Sequence, residues 1–531
     1  MVWPARCRGA RKISRSGEAA VGGVAASREL PGVATFGLAF LACLALRLPA
    51  LGDLPLWLDE ILTVETIRRP WLDLVQDRIA RGHVPTYFAF MKLIVPGDAS
   101  EWILRLPSAL FDCAAGGVVA LIAARLAGWR CAVPAALLYA TFPILIIYAQ
   151  EARPYAAQLF FTTLAMYGQI MVLRGEGSLR RSFALATVGS LGAILVIPAG
   201  AVIVIVQQLA LLACGNWPRG GEARKQLVRH LGITWILGGS ALLLLLPSVL
   251  EVAAGKEGLL RWHAYTPYFE RIGQVVDGSY GLVVSSDVNV WLPGRRNRHL
   301  LIGLLGLMAI GSWTNRASPA HRYLAFMVVG SFVALAILAS FTAVAQRYVI
   351  GMMPAVVILA ASGAAALLMM NRLRWAFAPV VALIGMGFLL QAFDTLQSPR
   401  KADWRPIIAF LRDKEVRDQQ VFSDQFEIRF AFRHYGSIQD QLTFRVASKG
   451  IEPIQTLWSA AADRSVAWFV LSGDSAEPPR RSVSSPLCSW PIGDLKVVML
   501  ARDVAAVPEA ARGALGGPAC ATSDTDLVQG G

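Results

Sequence analysis

The sequence predicts an α-helical polytopic membrane protein with about 11 transmembrane helices and a small C-terminal α/β domain. Of its 531 residues, 55% are hydrophobic and only 16% are charged, and the mean hydropathy is +0.51. Apolar segments of the roughly 20 residues that a helix needs to cross a bilayer recur from Val33 to Phe393 and then stop. The residues that follow are numerous enough to form a separate water-soluble domain.

Eleven apolar segments are predicted to cross the membrane, and residues 183–214 are the ambiguous part. As one helix these residues would extend about 48 Å against a hydrocarbon core of about 30 Å, and Pro198 would interrupt it. Two helices are therefore favoured, although the basic residues of the later loops barely separate the two models. The predicted segments are residues 33–51, 106–124, 132–149, 154–173, 183–197, 199–214, 231–250, 299–313, 323–341, 348–370 and 375–393.

The same pattern predicts a protein of the inner (plasma) membrane whose chain has three parts. Residues 1–32 form a basic cytoplasmic arm, residues 33–393 the transmembrane domain, and residues 394–531 an extracytoplasmic soluble domain. Residues 33–51 are too long, and too poor in a small-residue cleavage site, for a signal peptide, so we interpret them as a retained anchor. The two-helix model places outside the cytoplasm the loop 52–105, the turn 150–153, the loop 251–298 and the turn before Arg347.

Charge and cysteine content exclude several classes of function. The net charge is +14, but Lys and Arg lie between apolar segments, which is typical of topology signals rather than of a nucleic-acid partner. The seven cysteines include no CxxC pair, and the six histidines no HExxH motif, so neither a zinc nor a redox site is visible. In the terminal domain, Cys488 and Cys520 fit either a disulfide or two free thiols.

Local patterns predict further elements outside the crossings. The stretch VPTYFAFMKLIV, which contains Lys92, is too short to cross and suits a helix lying in the membrane interface. In the terminal domain, helical stretches (Trp404 to Lys414, Pro453 to Ala462) alternate with the strand-like runs VAWFVLSG and LKVVML.

Four polar clusters are predicted on the same outer face. A candidate base together with several cations is what transfer from a phosphate-linked donor needs. Each cluster also has a structural interpretation, because arginines at helix ends anchor among headgroups and interfacial tyrosines are common. The clusters are Asp59 with Glu60; His83 ahead of Pro85 and Tyr87; Glu151, Arg153 and Tyr155 in QEARPY; and Arg347 with Tyr348 in QRYVIGMMP.

The order of these motifs carries a resemblance to a known family. An Asp-Glu pair follows the first membrane helix, and then come RGHVPTYFAFMK, EWILRLPSALF, QEARPY and a late RY with a downstream proline. This order resembles polyprenyl-phosphate-sugar-dependent glycosyltransferases of the GT-C fold, the group of protein mannosyltransferases, the aminoarabinose transferase acting on lipid A and rhizobial lipopolysaccharide transferases. The resemblance covers roughly residues 30 to 370, and KADWRPIIAFLRD is similar to the segment that often follows the last helix.

The resemblance implies roles for individual residues. Asp59 matches the catalytic base, Glu60 supports it, and Arg153 and Arg347 match arginines that engage donor phosphate. His83 stands where many relatives have His or Lys before Pro-Pro, but Val84 replaces the first proline. We include as further candidates for substrate binding Lys92, Glu151, Tyr155 and Tyr348.

The implied reaction is displacement at the anomeric carbon of the sugar, with inversion and with polyprenyl phosphate leaving. The acceptor is a hydroxyl of an envelope glycan, lipid or protein. No nucleotide-binding GxxxxGK[ST] loop is present, and a divalent cation is left open because no ligand set is evident. Trp262 and His263 either line the sugar pocket or mark the membrane interface.

Three alternatives remain at this stage. A transporter places ionisable residues near the bilayer midplane, whereas only Asp112 lies clearly inside a predicted span, with Arg47 and Arg105 closer to span ends. A receptor or scaffold would not explain the acid and arginine clusters. A polysaccharide ligase or polymerase with a lipid-pyrophosphate donor would use similar arginines, but an Asp-Glu pair after the first helix is less expected there.

Overall fold

A computed structural model gives the fold of most of the membrane region and part of the C-terminal domain. It describes residues 32–218, 220–253, 273, 298–339, 346–370, 374–397, 403–416, 420–425, 427–436, 443–446, 465–472, 487–493, 495–501, 505, 507–512 and 520–521. The N-terminal arm, Trp262, His263 and the predicted helix Pro453 to Ala462 lie outside these residues.

The membrane region is helical, as the apolar pattern predicts. Its elements are α1 (Gly32–Arg47), α2 (Leu58–Arg68), α3 (Trp71–Ala80), α4 (Thr86–Ile94), α5 (Glu101–Ala127), α6 (Trp129–Thr141), α7 (Pro143–Ala149), α8 (Tyr155–Arg174), α9 (Leu179–Val196), α10 (Gly200–Cys214), α11 (Glu222–Leu243), α12 (Leu246–Ala253), α13 (Arg298–Thr314), α14 (Pro319–Ala339), a 3₁₀ helix (Gln346–Met352), α15 (Met353–Leu368) and α16 (Arg374–Gln397).

A helix or helix pair overlaps each predicted crossing, but fewer satisfy the length and composition of a span. Within the described residues, 6 helices are long and apolar enough, or 7 when α6 and α7, which meet at 59°, count as one broken span. The apolar helices α1, α10 and α13 are shorter. The chain is thus a multi-pass membrane protein, and the number of eleven crossings stays a prediction.

Prolines and glycines explain several boundaries. The break between α9 and α10 falls at Ile197–Ala199 and confirms the two-helix interpretation of residues 183–214. Pro143 opens α7 and ends the straight run of α6, because proline cannot donate to the preceding turn. Gly128, with a φ of 66°, joins α5 to α6 in a conformation that favours glycine.

The loop 52–105 folds into three short helices rather than one. Its predicted interfacial stretch forms α4, and α2 and α3 precede it. The apolar faces of α2 and α4 pack together and bury Ile61, Val64, Phe88 and Met91. We call the end of the helix bundle that carries α2–α4 the capped end.

The C-terminal domain is α/β, as predicted. It contains α17 (Trp404–Asp413), β1 (Gln420–Ser423), α18 (Ile428–Tyr435), β2 (Thr443–Val446), β3 (Val466–Ser472), β4 (Leu487–Ile492), β5 (Leu495–Ala501), α19 (Glu509–Arg512) and β6 (Cys520–Ala521). The sheet order is β2-β1-β3-β5-β4-β6, with β2, β1 and β3 parallel and the remaining neighbours antiparallel.

This domain sits on the capped end. One apolar core combines Leu56 and Ile61 of the first loop with Trp404, Phe432 and Trp468 of the C-terminal domain. Because burial of apolar side chains is the main favourable term in folding, the shared core joins the two parts into one structural unit. The sequence did not predict this contact.

Candidate active site

Asp59 occupies the first turn of α2 and pairs with Arg153. The free N–H groups at a helix start carry partial positive charge, which favours a carboxylate there. An Arg153 Nη2 atom lies 3.5 Å from Asp59 Oδ2, and Nη1 donates to the Asp59 carbonyl at 3.4 Å. The Asp59 side chain keeps 21% of its exposure and Arg153 only 8%. The carboxylate is therefore held in place but remains open on one side.

Glu60 points the opposite way, into a buried ion pair with Arg105. The Arg105 Nε and Nη2 atoms donate to its two carboxylate oxygens, each at 2.8 Å. The backbone N–H of Ala152 also donates to Glu60 Oε1, at 2.9 Å. With its oxygens engaged and its exposure at 0%, Glu60 supports the site from behind and does not face it. Through Ala152 it also fixes the turn that carries Arg153.

Arg153 and Arg347, 194 positions apart in the sequence, meet around one tyrosine. The guanidinium carbons lie 5.9 Å and 5.6 Å from the centre of the Tyr155 ring, which is within the range of cation–π attraction. The Tyr148 ring meets Tyr155 edge-on at 5.1 Å and fixes its orientation. The predicted convergence of QEARPY with the late RY segment is thus what the fold produces.

The two arginines retain donors for an anion. The Nε atoms of Arg153 and Arg347 are buried and have no hydrogen-bond acceptor among the described parts of the chain. Burial opposes charge on each guanidinium, but neighbouring Asp59 and Tyr155 outweigh it and raise the pKa of both arginines. Two fixed cations beside one partly exposed carboxylate can attract an anion, and planar donors of this kind match phosphate oxygens.

His83, between α3 and α4, and Tyr87, in the first turn of α4, both lie near Arg153. Burial, with Arg153 and Arg78 nearby, lowers the pKa of His83 to about 3, so the imidazole is uncharged at neutral pH. Burial likewise raises the pKa of Tyr87, whose neighbours include Ser108 and Arg153. An uncharged imidazole can offer a ligand a hydrogen bond but not a positive charge.

Glu151 and Tyr348, two further predicted residues, lie within two positions of Arg153 and Arg347 in the chain. Glu151 is buried in the turn that Arg153 N–H closes by donating to its carbonyl at 2.8 Å. Tyr348 is half-buried beside Arg347, and its carbonyl accepts from Gln158 Nε2 at 3.3 Å.

Lys92 is a correction to the sequence-based prediction. Its ammonium donates to the carbonyl of Ile67 at 2.9 Å and lies 5.3 Å from the centre of the Trp71 ring. Ile67 is at the far end of α2, about 12 Å along the helix from Asp59. The side chain therefore ties α4 to the end of α2 and does not join the arginine cluster.

Sequence reasoning missed Arg105, Gln158 and Tyr148 as parts of the site. Arg105 lies within EWILRLPSALF, one turn into an apolar helix. A charged residue at such a position indicates that it pairs with a buried residue of opposite charge. Gln158 and Tyr148 carried no comparable signal, because a glutamine or tyrosine near a helix end has many uses.

A second buried ion pair lies within the bundle. Arg47 Nε donates to Asp112 Oδ2 at 2.8 Å, and the Tyr139 hydroxyl donates to Asp112 Oδ1 at 2.9 Å. The Arg47 guanidinium also bonds the carbonyls of Tyr139 and Ala140, where α6 ends. Asp112, the acid that a transporter could have used, is therefore tied into the packing of α1, α5 and α6.

An apolar groove of about 520 Å³ runs between α10 and α14. Val202, Val206, Phe326 and Val333 are among the side chains that line it. The 3₁₀ helix that carries Arg347 packs against both α10 and α14. The two helices that line the groove therefore also contact the helix that carries Arg347.

No group of three or more His, Cys, Asp or Glu that could hold a metal occurs in the portion of the chain that the structure describes. A divalent cation that assists binding of the donor phosphate stays a prediction.

Comparison with known proteins identifies the fold. No family model and no curated protein matches the chain in sequence. The solved structure of ArnT from Cupriavidus metallidurans in the apo state aligns with a TM-score of 0.55 at 14% identity, over 88% of this chain and 97% of that chain. The same protein bound to undecaprenyl phosphate aligns with a TM-score of 0.51, at the same identity and coverage.

A second solved structure is similar over less of its own length. The oligosaccharyltransferase of Archaeoglobus fulgidus, in complex with zinc and sulfate, aligns with a TM-score of 0.50 at 14% identity, over 82% of this chain and 68% of that chain. At such identities the likeness concerns the fold, and the chain has the GT-C fold that its ordered motifs predicted.

Proposed function

We propose that this protein is a membrane glycosyltransferase that moves a sugar from a polyprenyl-phosphate donor to an acceptor hydroxyl. The observation that carries the proposal is the cluster of Asp59, Arg153 and Arg347. It combines a partly exposed carboxylate with two arginines, Arg153 buried and Arg347 half-buried, whose Nε donors have no acceptor within the described residues. A proton acceptor beside fixed positive charge is the minimum that such a transfer requires.

The reaction follows from these positions. The acceptor oxygen attacks the anomeric carbon while its proton passes to Asp59, and the bond from that carbon to the phosphate oxygen breaks. The electron pair of that bond stays on polyprenyl phosphate, whose charge Arg153 and Arg347 stabilise. A single displacement inverts the anomeric centre.

The apolar groove supports a lipid-linked donor. A ligand with an isoprenoid chain needs an apolar path beside its phosphate, and the two helices that line the groove, α10 and α14, also contact the helix that carries Arg347. The ArnT structure that contains undecaprenyl phosphate has a similar fold. Both observations favour a polyprenyl phosphate over a soluble nucleotide sugar.

An extracytoplasmic active site is part of the proposal. Cys488 is disulfide-bonded, and the register of β4 and β6 sets the backbone of Cys520 opposite it. Disulfides persist in oxidising compartments, which favours a C-terminal domain outside the cytoplasm. Because this domain packs on α2, the same side follows for Asp59. The acceptor would then be an envelope glycan, lipid or protein.

The test uses the purified full-length protein in lipid nanodiscs with a radiolabelled polyprenyl-phosphate sugar and an envelope extract as acceptor. Asp59→Asn should reduce transfer at least about 100-fold, because the general base is lost. The control is Glu65→Gln, which makes the same carboxylate-to-amide change on the same helix at an exposed pair with Arg433. Full activity of Asp59→Asn would refute the assignment of the base.

The same purified protein separates the alternatives. Transfer from a polyprenyl-pyrophosphate-linked sugar, with release of polyprenyl pyrophosphate, and no transfer from the polyprenyl-phosphate sugar would replace the proposed donor with that of a ligase or polymerase. Solute uptake into proteoliposomes that depends on an ion gradient, without sugar transfer, would favour a transporter.

A further inference from the structure

The segment that leads into α2 is held from two sides. From the membrane region, Arg105 donates to the carbonyls of Leu51, Leu54 and Pro55, at 3.0, 2.7 and 2.9 Å. From the C-terminal domain, Arg405 Nη2 donates to the carbonyl of Asp53 at 2.8 Å. Residues 51–56 are therefore a strap between the two parts of the protein.

Tyr435 of α18 holds the end of this strap. Its hydroxyl accepts the backbone N–H of Leu56 at 2.7 Å and donates to Glu101 Oε1, at the start of α5, at 3.2 Å. One hydroxyl thus bridges the end of the strap and α5, and α5 also holds α2 through the Glu60–Arg105 pair.

Leu56 lies three residues before Asp59. Its side chain is 2% exposed and belongs to the core that the first loop shares with the C-terminal domain. Because α2 starts two residues after Leu56, a shift of this residue changes the direction in which the first turn presents Asp59. A displacement of about 1 Å at a reacting group can reduce a rate about 100-fold.

We propose that Tyr435 is a positioning residue, through which the C-terminal domain holds the Asp59 carboxylate in its reactive place. This inference rests on the role of Asp59 in the proposed function. It makes the C-terminal domain an integral part of the active site and not an appended binding module.

The test is Tyr435→Phe in the full-length protein in nanodiscs, because this change removes both hydrogen bonds of the hydroxyl and keeps the ring. We expect kcat to fall about tenfold while the KM for donor changes less than about twofold, since the arginines are untouched. Independently of activity, hydrogen exchange of the amides at residues 56–61 should become about tenfold faster.

The matched control is Arg433→Gln on the same helix. It removes the exposed pair with Glu65, of 3.3 Å, which contacts α2 away from its first turn. Both readouts should stay within about twofold of the wild type, as is usual for an exposed pair. If Tyr435→Phe behaves like this control in kcat and exchange, the inference is overturned.

A second variant covers the case in which Tyr435→Phe loosens the whole domain. Arg405→Gln removes the bond to Asp53, together with the local pair to Asp403, from a partly exposed position. It should raise exchange at residues 56–61 in the same way. Unchanged exchange in this variant would then refute the inference. If the wild type transfers no sugar, the proposed function fails, while the exchange measurement still decides on the positioning role.

Discussion

Replacing Arg105 by methionine should destabilise the protein severely, although this residue was not among the predicted site residues. Arg105 makes five hydrogen bonds, two to Glu60 and three to the carbonyls of the strap. A guanidinium has five N–H donors, so all of them are used. Methionine has a similar volume but supplies none.

The size of the effect follows from burial. The exposures of Arg105 and Glu60 are 1% and 0%, so methionine at position 105 leaves a carboxylate buried without its cation. Breaking a buried pair by removing one partner costs about 3–5 kcal/mol. Adding Glu60→Gln to Arg105→Met removes the unpaired charge, and the double variant should recover about 2 kcal/mol relative to the sum of the single changes.

Chemical denaturation of the purified protein in mixed micelles, followed by tryptophan fluorescence, measures these differences. The control is Arg68→Met, which removes a single exposed bond to the Gly97 carbonyl and should cost less than about 1 kcal/mol. Stability of Arg105→Met within about 1 kcal/mol of the wild type, or strictly additive effects in the double variant, would show that the pair does not hold the first turn of α2.

Two further predictions concern the ligand site. Arg347→Lys keeps the charge but loses the planar fork, so the KM for donor should rise about tenfold with kcat within about threefold, and an unchanged KM in steady-state assays would contradict phosphate binding there. His83→Gln tests whether the His83 imidazole is uncharged. The pKa of His83 in the folded state is about 3, below the ordinary 6.5, so its contribution to stability is complete above pH 6.5 and is lost as the pH falls towards 3. The stability of the wild type relative to His83→Gln, measured by denaturation, should therefore decrease between pH 7 and pH 4, and a constant difference would show that the pKa of His83 is not lowered.

Much of the fold was predictable because apolar segments of membrane length have few alternatives. The break at Pro198 was predicted for the same reason, since a helix through residues 183–214 would be too long. The bend between α6 and α7 was missed, although Pro143 marked it, because residues 132–149 have the length of a single span. In the C-terminal domain VAWFVLSG and LKVVML form β3 and β5, while β1 has only four residues and β4 contains Pro491, so neither has a clear strand pattern.

The charged loop residues of the candidate site were predictable from the sequence, whereas positions that depend on how the helices pack were not. Asp59, Arg153 and Arg347 were expected to lie close together because the predicted topology puts their loops on the same side of the membrane. In the structure Arg153 pairs with Asp59, and both arginines contact Tyr155. Lys92 was predicted on that face but lies at the far end of α2, because its position depends on how α2 and α4 pack. The partner of Glu60 stands 45 positions away on α5, a distance at which a single sequence carries no pairing information.

The two buried ion pairs explain how the helical bundle fixes the position of Arg153 relative to Asp59. Arg47 bonds the carbonyls at the end of α6, while Gln150 Nε2, just after α7, donates to the carbonyl of Arg47 at 3.2 Å. The short α7 is thus fixed at both ends. The turn that follows carries Arg153, and Glu60 holds that turn through Ala152. Because each anchor is charged and buried, a wrong arrangement would leave a carboxylate or guanidinium unpaired at a cost of several kcal/mol, and this penalty selects one position for Arg153 relative to Asp59.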